Sequence, residues 1–133
     1  MRPQLPVLER EVVILVVAVA EGSDFMWAGH LPIAVAAGLD PDVGALLRSG
    51  TVPRLDEPLL TVHHVARCLV DDADLDDSTF QRAVDLLGWP QVQEIVWLTG
   101  LYQAFGLAMR VARTPLPTQA DTSDAEEQDP RHD

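Results

Sequence analysis

Glu11 and His30, nineteen positions apart, are the two residues of this chain whose types and settings bear most directly on chemistry. Glu11 opens the run Val12-Val13-Ile14-Leu15-Val16-Val17-Ala18-Val19-Ala20. His30 lies inside Phe25-Met26-Trp27-Ala28-Gly29-His30-Leu31-Pro32-Ile33-Ala34. Burying an ionisable group is costly unless it is paired or hydrogen-bonded. A carboxylate and an imidazole driven toward one core can satisfy each other. Such a pair is also what proton transfer requires: Glu11 would orient the ring and hold its tautomer, and His30 would move the proton. The structural alternatives are a first-turn acid favoured by the helix dipole for Glu11 and a satisfied core or interface histidine for His30.

Other groupings are weaker. His64 and Cys68 are four apart and face one way on a helix, with the adjacent His63 pointing elsewhere. Two ligands make no zinc site and no third is suitably spaced, so no metal is expected. Cys68, among Val65, Ala66, Leu69 and Val70, reads as a small buried hydrophobe. The acidic run from Asp71 to Asp77 lacks the glycine and terminal glutamate of an EF-hand loop and reads as a solvated turn with a helix cap. The chain has no Cys-x-x-Cys, Gly-x-Gly-x-x-Gly, P-loop or Gly-x-Ser-x-Gly, so nothing points to a nucleotide, flavin or serine nucleophile.

The elements that must position these residues read as helices. A first spans 7–21, although its β-branched run could also form a buried strand. A second spans 24–37, capped by Asp24 and stopped at Gly38. A third spans 41–49, opened by Asp40-Pro41 and closed by Gly50. A fourth spans 55–70, followed by the acidic linker. Ser78 and Gln81 have capping-box spacing, with Asp77 as a competing cap. Phe80, Ala83, Val84 and Leu87 then form one helical stripe. After Gly88, Pro90 starts a long last helix to about Arg113, apolar nearly all round, with Gly100, Ala104 and Ala108 as a small-residue stripe. Such a helix needs cover on more than one side. The reading is therefore an oligomer whose interface includes it, the alternative being a central helix in a monomeric bundle.

Composition bounds the rest. At 133 residues the chain fits one domain. The net charge of −12 argues against nucleic acid and against an anionic membrane as partners. All nine basic residues are arginine, which fits a GC-rich coding bias. The longest unbroken apolar run is the nine residues from Val12, short of the ~20 a bilayer span needs. The first residues do not resemble a secretory signal, and the single Cys68 suits a reducing, cytoplasmic setting. Residues 119–133 contain six acids, one arginine and no apolar residue larger than alanine, so they are expected to form a disordered acidic tail behind a helical domain of residues 1–118.

Three segments resemble a known family: Glu11-Val12-Val13-Ile14-Leu15, then Phe25 to Ala34 as quoted above, then Ala37-Gly38-Leu39. In order and spacing they resemble the carboxymuconolactone decarboxylase and alkylhydroperoxidase D superfamily. Leu98-Thr99-Gly100-Leu101-Tyr102 resembles its final helix, and the likeness runs over roughly 7–115. The resemblance implies an all-α fold, here a compact bundle of about six helices, and homo-oligomers, usually trimers or hexamers. The family's redox branch has a Glu, a Cys-x-x-Cys and a His whose positions fall on Glu11, Ser23, Met26 and His30. The histidine found between the cysteines in some members falls on Phe25. Both redox cysteines are thus replaced, which leaves thiol peroxidase chemistry without its thiolate pair. A second branch resembles Tyr-Glu-Trp-x-x-His; here Phe25, Trp27 and His30 keep the aromatic, the Trp and the His, while Met26 replaces the Glu and cannot carry a proton. The N-terminal helices common in that branch are missing or very short here.

The resulting expectation is a cofactor-free lyase or isomerase acting on a small lactone or keto acid, with His30 and Glu11 catalytic. Trp27, Met26, Phe25 and Ser23 would contact the substrate. Arg48, Arg54 and Arg110 are candidates for binding an anionic group. The alternatives are a catalytically silent oligomeric binding or assembly module on the same scaffold and, behind it, an antioxidant peroxidase.

Overall fold

Residues 4–116 are described by a computed structural model of the chain; the acidic tail expected at 119–133 lies outside them. Six helices follow in order: α1 (Val7–Glu21), α2 (Asp24–Ala36), α3 (Pro41–Arg48), α4 (Leu59–Asp72), α5 (Asp77–Leu87) and α6 (Trp89–Ala112). The fold is all-α as expected, with no strand among the described residues.

The centre of the bundle is α1, not α6. Glu11 through Ala18 are buried without a break, so α1 is covered on every side, with α2, α4, α6 and α3 packed around it. This burial explains why a valine-rich run is helical: the packing available to an all-round apolar helix outweighs the weak strand preference of its β-branched residues. The helix ends at Gly22, whose left-handed φ of 63° few other residues adopt without strain. Around α1 the core is completed by Met26, Trp27 and Ala34 of α2, Leu47 of α3, Val62, Val65 and Ala66 of α4, Ala83 of α5, Val92 and Ile95 of α6, and Leu5 and Leu39 outside the helices.

Several helix ends differ from the sequence reading. The α2 cap is Ser23, whose Oγ accepts the Met26 N–H at 3.1 Å; Asp24 is the first helical residue and pairs with Arg48. α4 starts at Leu59 rather than 55, since a residue preceding proline, here Glu57 before Pro58, is disfavoured in helical geometry. It then continues through Asp71 and Asp72, the first two acids of the expected linker. α5 is capped by Asp76, whose Oδ1 accepts the Thr79 N–H at 2.7 Å and the Ser78 hydroxyl at 3.0 Å. Those bonds hold the Asp76 carboxyl below its usual pKa. Gln81 donates to Asp85 instead of closing a capping box with Ser78.

The apolar surface of α6 is divided. Val92, Ile95, Thr99 and Gly106 face the bundle, while Val96, Trp97, Leu101, Phe105, Leu107 and Val111 are exposed, Trp97 at 63% and Val111 at 71%. By length and composition α6 is apolar enough to cross a membrane. The limit of nine unbroken apolar residues missed this because polar residues, only two of them charged (Glu94 and Arg110), break the apolar residues of α6 into short runs. Both ends of α6 are tied to the N-terminal half of the chain. The Glu94 carboxylate accepts the backbone N–H groups of Gln4 and Leu5. Arg110 donates to the Glu21 carbonyl oxygen and, at 3.0 Å, to its carboxylate.

Candidate active site

Glu11 and His30 meet. The Nδ1 of His30 lies 2.7 Å from Oε2 of Glu11, within the range of a charge-assisted hydrogen bond. The carboxylate comes from the second turn of α1, where the all-round burial of that helix leaves it 3% exposed. The imidazole comes from the middle of α2 and keeps 23% of its side chain exposed. A buried carboxylate thus holds one ring nitrogen, and Nε2 is left without a partner among the described residues. With the proton on Nδ1, Nε2 carries a lone pair and can accept a proton from a substrate.

Two residues not singled out in the sequence complete the surroundings. Arg10, adjacent to Glu11, places its Nε 3.8 Å from Oε1 of the same carboxylate, with a third of its side chain exposed. Tyr102 of α6 stands edge-on to the His30 ring, centroids 5.3 Å apart, and Phe105 stands edge-on to Tyr102 at 5.4 Å. Burial, and then the negative charge of Glu11, push the Tyr102 phenol above its ordinary pKa, with Arg10 opposing. The phenol therefore stays protonated at neutral pH and can donate a hydrogen bond. Arg10 was hidden as an ordinary surface cation in the first helix, and Tyr102 lies far from His30 in sequence; only its place within the family-like Leu98–Tyr102 segment marked it.

The four residues expected to contact substrate are not gathered around His30 in one cavity. Met26 and Trp27 are core side chains. Ser23 is occupied as the α2 cap. Phe25 is at the surface, lining a depression of about 230 Å³ with Gly106, Met109 and Arg110. Trp27 and Ser23 line a smaller one of about 130 Å³ with Arg48. The three candidate anion-binding arginines also fall elsewhere. Arg48 pairs with Asp24 at 3.3 Å and sits 5.5 Å from the centre of the Trp27 ring. Arg110 is held by Glu21, and Arg54 is exposed with no ion-pair partner among the described residues. Arg10 is the cation beside the pair.

Cys68 corrects the sequence reading. It is half-buried rather than a core residue, and its Sγ lies 3.7 Å from Nε2 of His64. Burial, with Asp72, Asp76 and Asp71, pushes the thiol above its usual pKa, which suppresses the thiolate. No group of three or more His, Cys, Asp or Glu among the described residues is arranged to hold a metal ion.

The comparison with known proteins bears on the helices that carry the pair. Residues 1–58, which contain α1 to α3, match the carboxymuconolactone decarboxylase family. The match covers less than half of the chain and lies over the two helices that carry Glu11 and His30. No curated protein matches the chain.

Proposed function

We propose that this chain uses its carboxymuconolactone decarboxylase-like scaffold as a cofactor-free enzyme, transferring protons on a small lactone or keto acid. The reading rests on one observation, the 2.7 Å bond between a buried Glu11 carboxylate and the partly exposed His30 ring. Nε2 of His30 is the general base. It takes a proton from the carbon next to a carbonyl, and the electron pair passes onto the carbonyl oxygen. The imidazolium, stabilised by Glu11, then returns the proton at another carbon, which isomerises the substrate. In a decarboxylation the carbon–carboxylate bond breaks instead and carbon dioxide leaves. The adjacent carbonyl takes up the electron pair, and His30 in its protonated form supplies the proton to carbon. Arg10 is suited to a substrate carboxylate, and the protonated Tyr102 hydroxyl is suited to hydrogen-bond an oxygen that gains charge.

The site is open at the surface of the single chain, and the larger cavities are lined by other residues. Beside it lies the exposed apolar face of α6, on the same helix as Tyr102. We take that face to be the contact between copies of the chain, so that a second copy covers His30 and excludes water from it. Family resemblance favours a trimer or hexamer, and the proposed setting remains cytoplasmic.

The test is turnover of a panel of small lactones and keto acids, followed by proton NMR. Wild-type protein should convert at least one member. His30→Ala should lose ~100-fold or more of that rate, the range for a general acid–base group, while keeping its helical circular dichroism. Conversion unaffected by His30→Ala would overturn the reading. Absence of turnover across the panel would leave the scaffold as an assembly module.

A further inference from the structure

We infer that the cavity between α4 and α5 is a second binding site, separate from Glu11 and His30, that takes a small uncharged alcohol or ketone with an apolar body. The cavity has a volume of about 660 Å³, within the range of small-molecule sites. Val65 and Ala83, both fully buried, form its floor, with Leu60 and the exposed Val52 above them.

His63 is the polar group set deepest in it. The residue is 3% exposed and makes no hydrogen bond to the protein, yet among the described residues no sealed side-chain nitrogen or oxygen lacks a partner. Its ring nitrogens therefore open into the cavity it lines. Burial, then Arg67 and His64, hold its pKa below the ordinary histidine value, so near neutral pH the ring is uncharged and presents one donor and one acceptor. A hydroxyl or carbonyl matches that offer.

The charged residues of the lining argue against an ionic ligand. Arg67 is engaged by Asp71 at 3.2 Å, and Arg82 lies 3.9 Å from Glu57. Arg67 is thus occupied, Arg82 is largely solvated at the rim, and an anion would also approach a chain of net charge −12. The carboxylates of the lining, Glu57, Asp71 and Asp72, are all exposed, so a cation would be held at the solvent-facing rim and not at the uncharged imidazole of His63, where a buried charge is strongly disfavoured. An uncharged ligand carries neither cost, and its apolar body is matched by the floor.

The experiment is an amide and histidine-ring NMR titration of the full chain with three probes of one shape: cyclohexanol, cyclohexanecarboxylate and cyclohexylamine. Cyclohexanol should give saturable shifts confined to α4, α5 and the His63 ring, and the two ions should bind at least ~10-fold more weakly. His63→Leu, checked for folding by thermal melting, should weaken cyclohexanol ~10-fold by leaving its hydroxyl unpaired. Three results would overturn the inference: equal binding of the three probes to the wild type, shifts centred on His30 and Tyr102, or no saturation with cyclohexanol.

Discussion

Tyr102 stands edge-on to His30, with ring centroids 5.3 Å apart, and this contact brings the last helix to a pair built by the first two. Because it is the only tyrosine in the chain, its ionisation can be followed without interference. Burial and the Glu11 carboxylate both favour the neutral phenol. Absorbance titration of the native protein should therefore give a midpoint above ~10, the value for a free tyrosine, and Glu11→Gln should bring it down. The sign of the linkage follows. A phenol whose pKa is raised by folding contributes stability that is fully present below the unfolded value, and that contribution is lost as pH climbs through the folded one. A native midpoint at or below 10 would contradict the placement of Tyr102.

Gly106 and Gly100 lie on the same helix in opposite circumstances. A Cβ at 106 would stand 2.9 Å from Cγ and 3.0 Å from Cβ of Glu21, whose carboxylate is held by Arg110. A Cβ at 100 would meet nothing within 4 Å. Replacing a helical glycine by alanine gains up to ~1 kcal/mol, while overpacking costs about 1–3 kcal/mol. Urea unfolding should therefore show Gly106→Ala destabilised and Gly100→Ala unchanged or stabilised. The reverse order would show that α6 does not approach α1 as described.

Much of this architecture could be read from the residues. Asp40-Pro41 and Gly88 mark helix ends through chemistry that has few competitors, and those ends fall where expected. Caps were misplaced where several suitable side chains are neighbours: Ser23 beside Asp24, and Asp76 beside Asp77 and Ser78. There the choice depends on which backbone N–H each oxygen reaches once the chain has turned. The Glu11–His30 bond was legible because burying either residue alone is costly. Arg10 and Tyr102 were not, since their proximity to the pair comes from how α1, α2 and α6 pack. The all-round apolar character of α6 signalled a need for cover, but not that α1 would take the centre of the bundle.

The exposed face of α6 gives a prediction about assembly. Leu101 and Phe105 are each about half exposed and flank Tyr102 in sequence. If this face joins copies of the chain, wild-type protein should scatter light as a multiple of its 14.6 kDa mass. Leu101→Glu combined with Phe105→Glu should lower that mass by placing like charges in the contact. A wild-type mass equal to one chain would contradict the assignment.

The most direct test of the account is the protonation of the His30 ring, read by long-range proton–nitrogen NMR on the high-pH plateau of a titration, where the ring carries a single proton. If the Glu11 carboxylate holds Nδ1, His30 should show a protonated Nδ1 and a lone pair on Nε2, and Glu11→Gln should shift the population toward the other tautomer. A wild-type ring protonated at Nε2, with Nδ1 bare, would contradict the account: the nitrogen proposed to take the substrate's proton would already carry one.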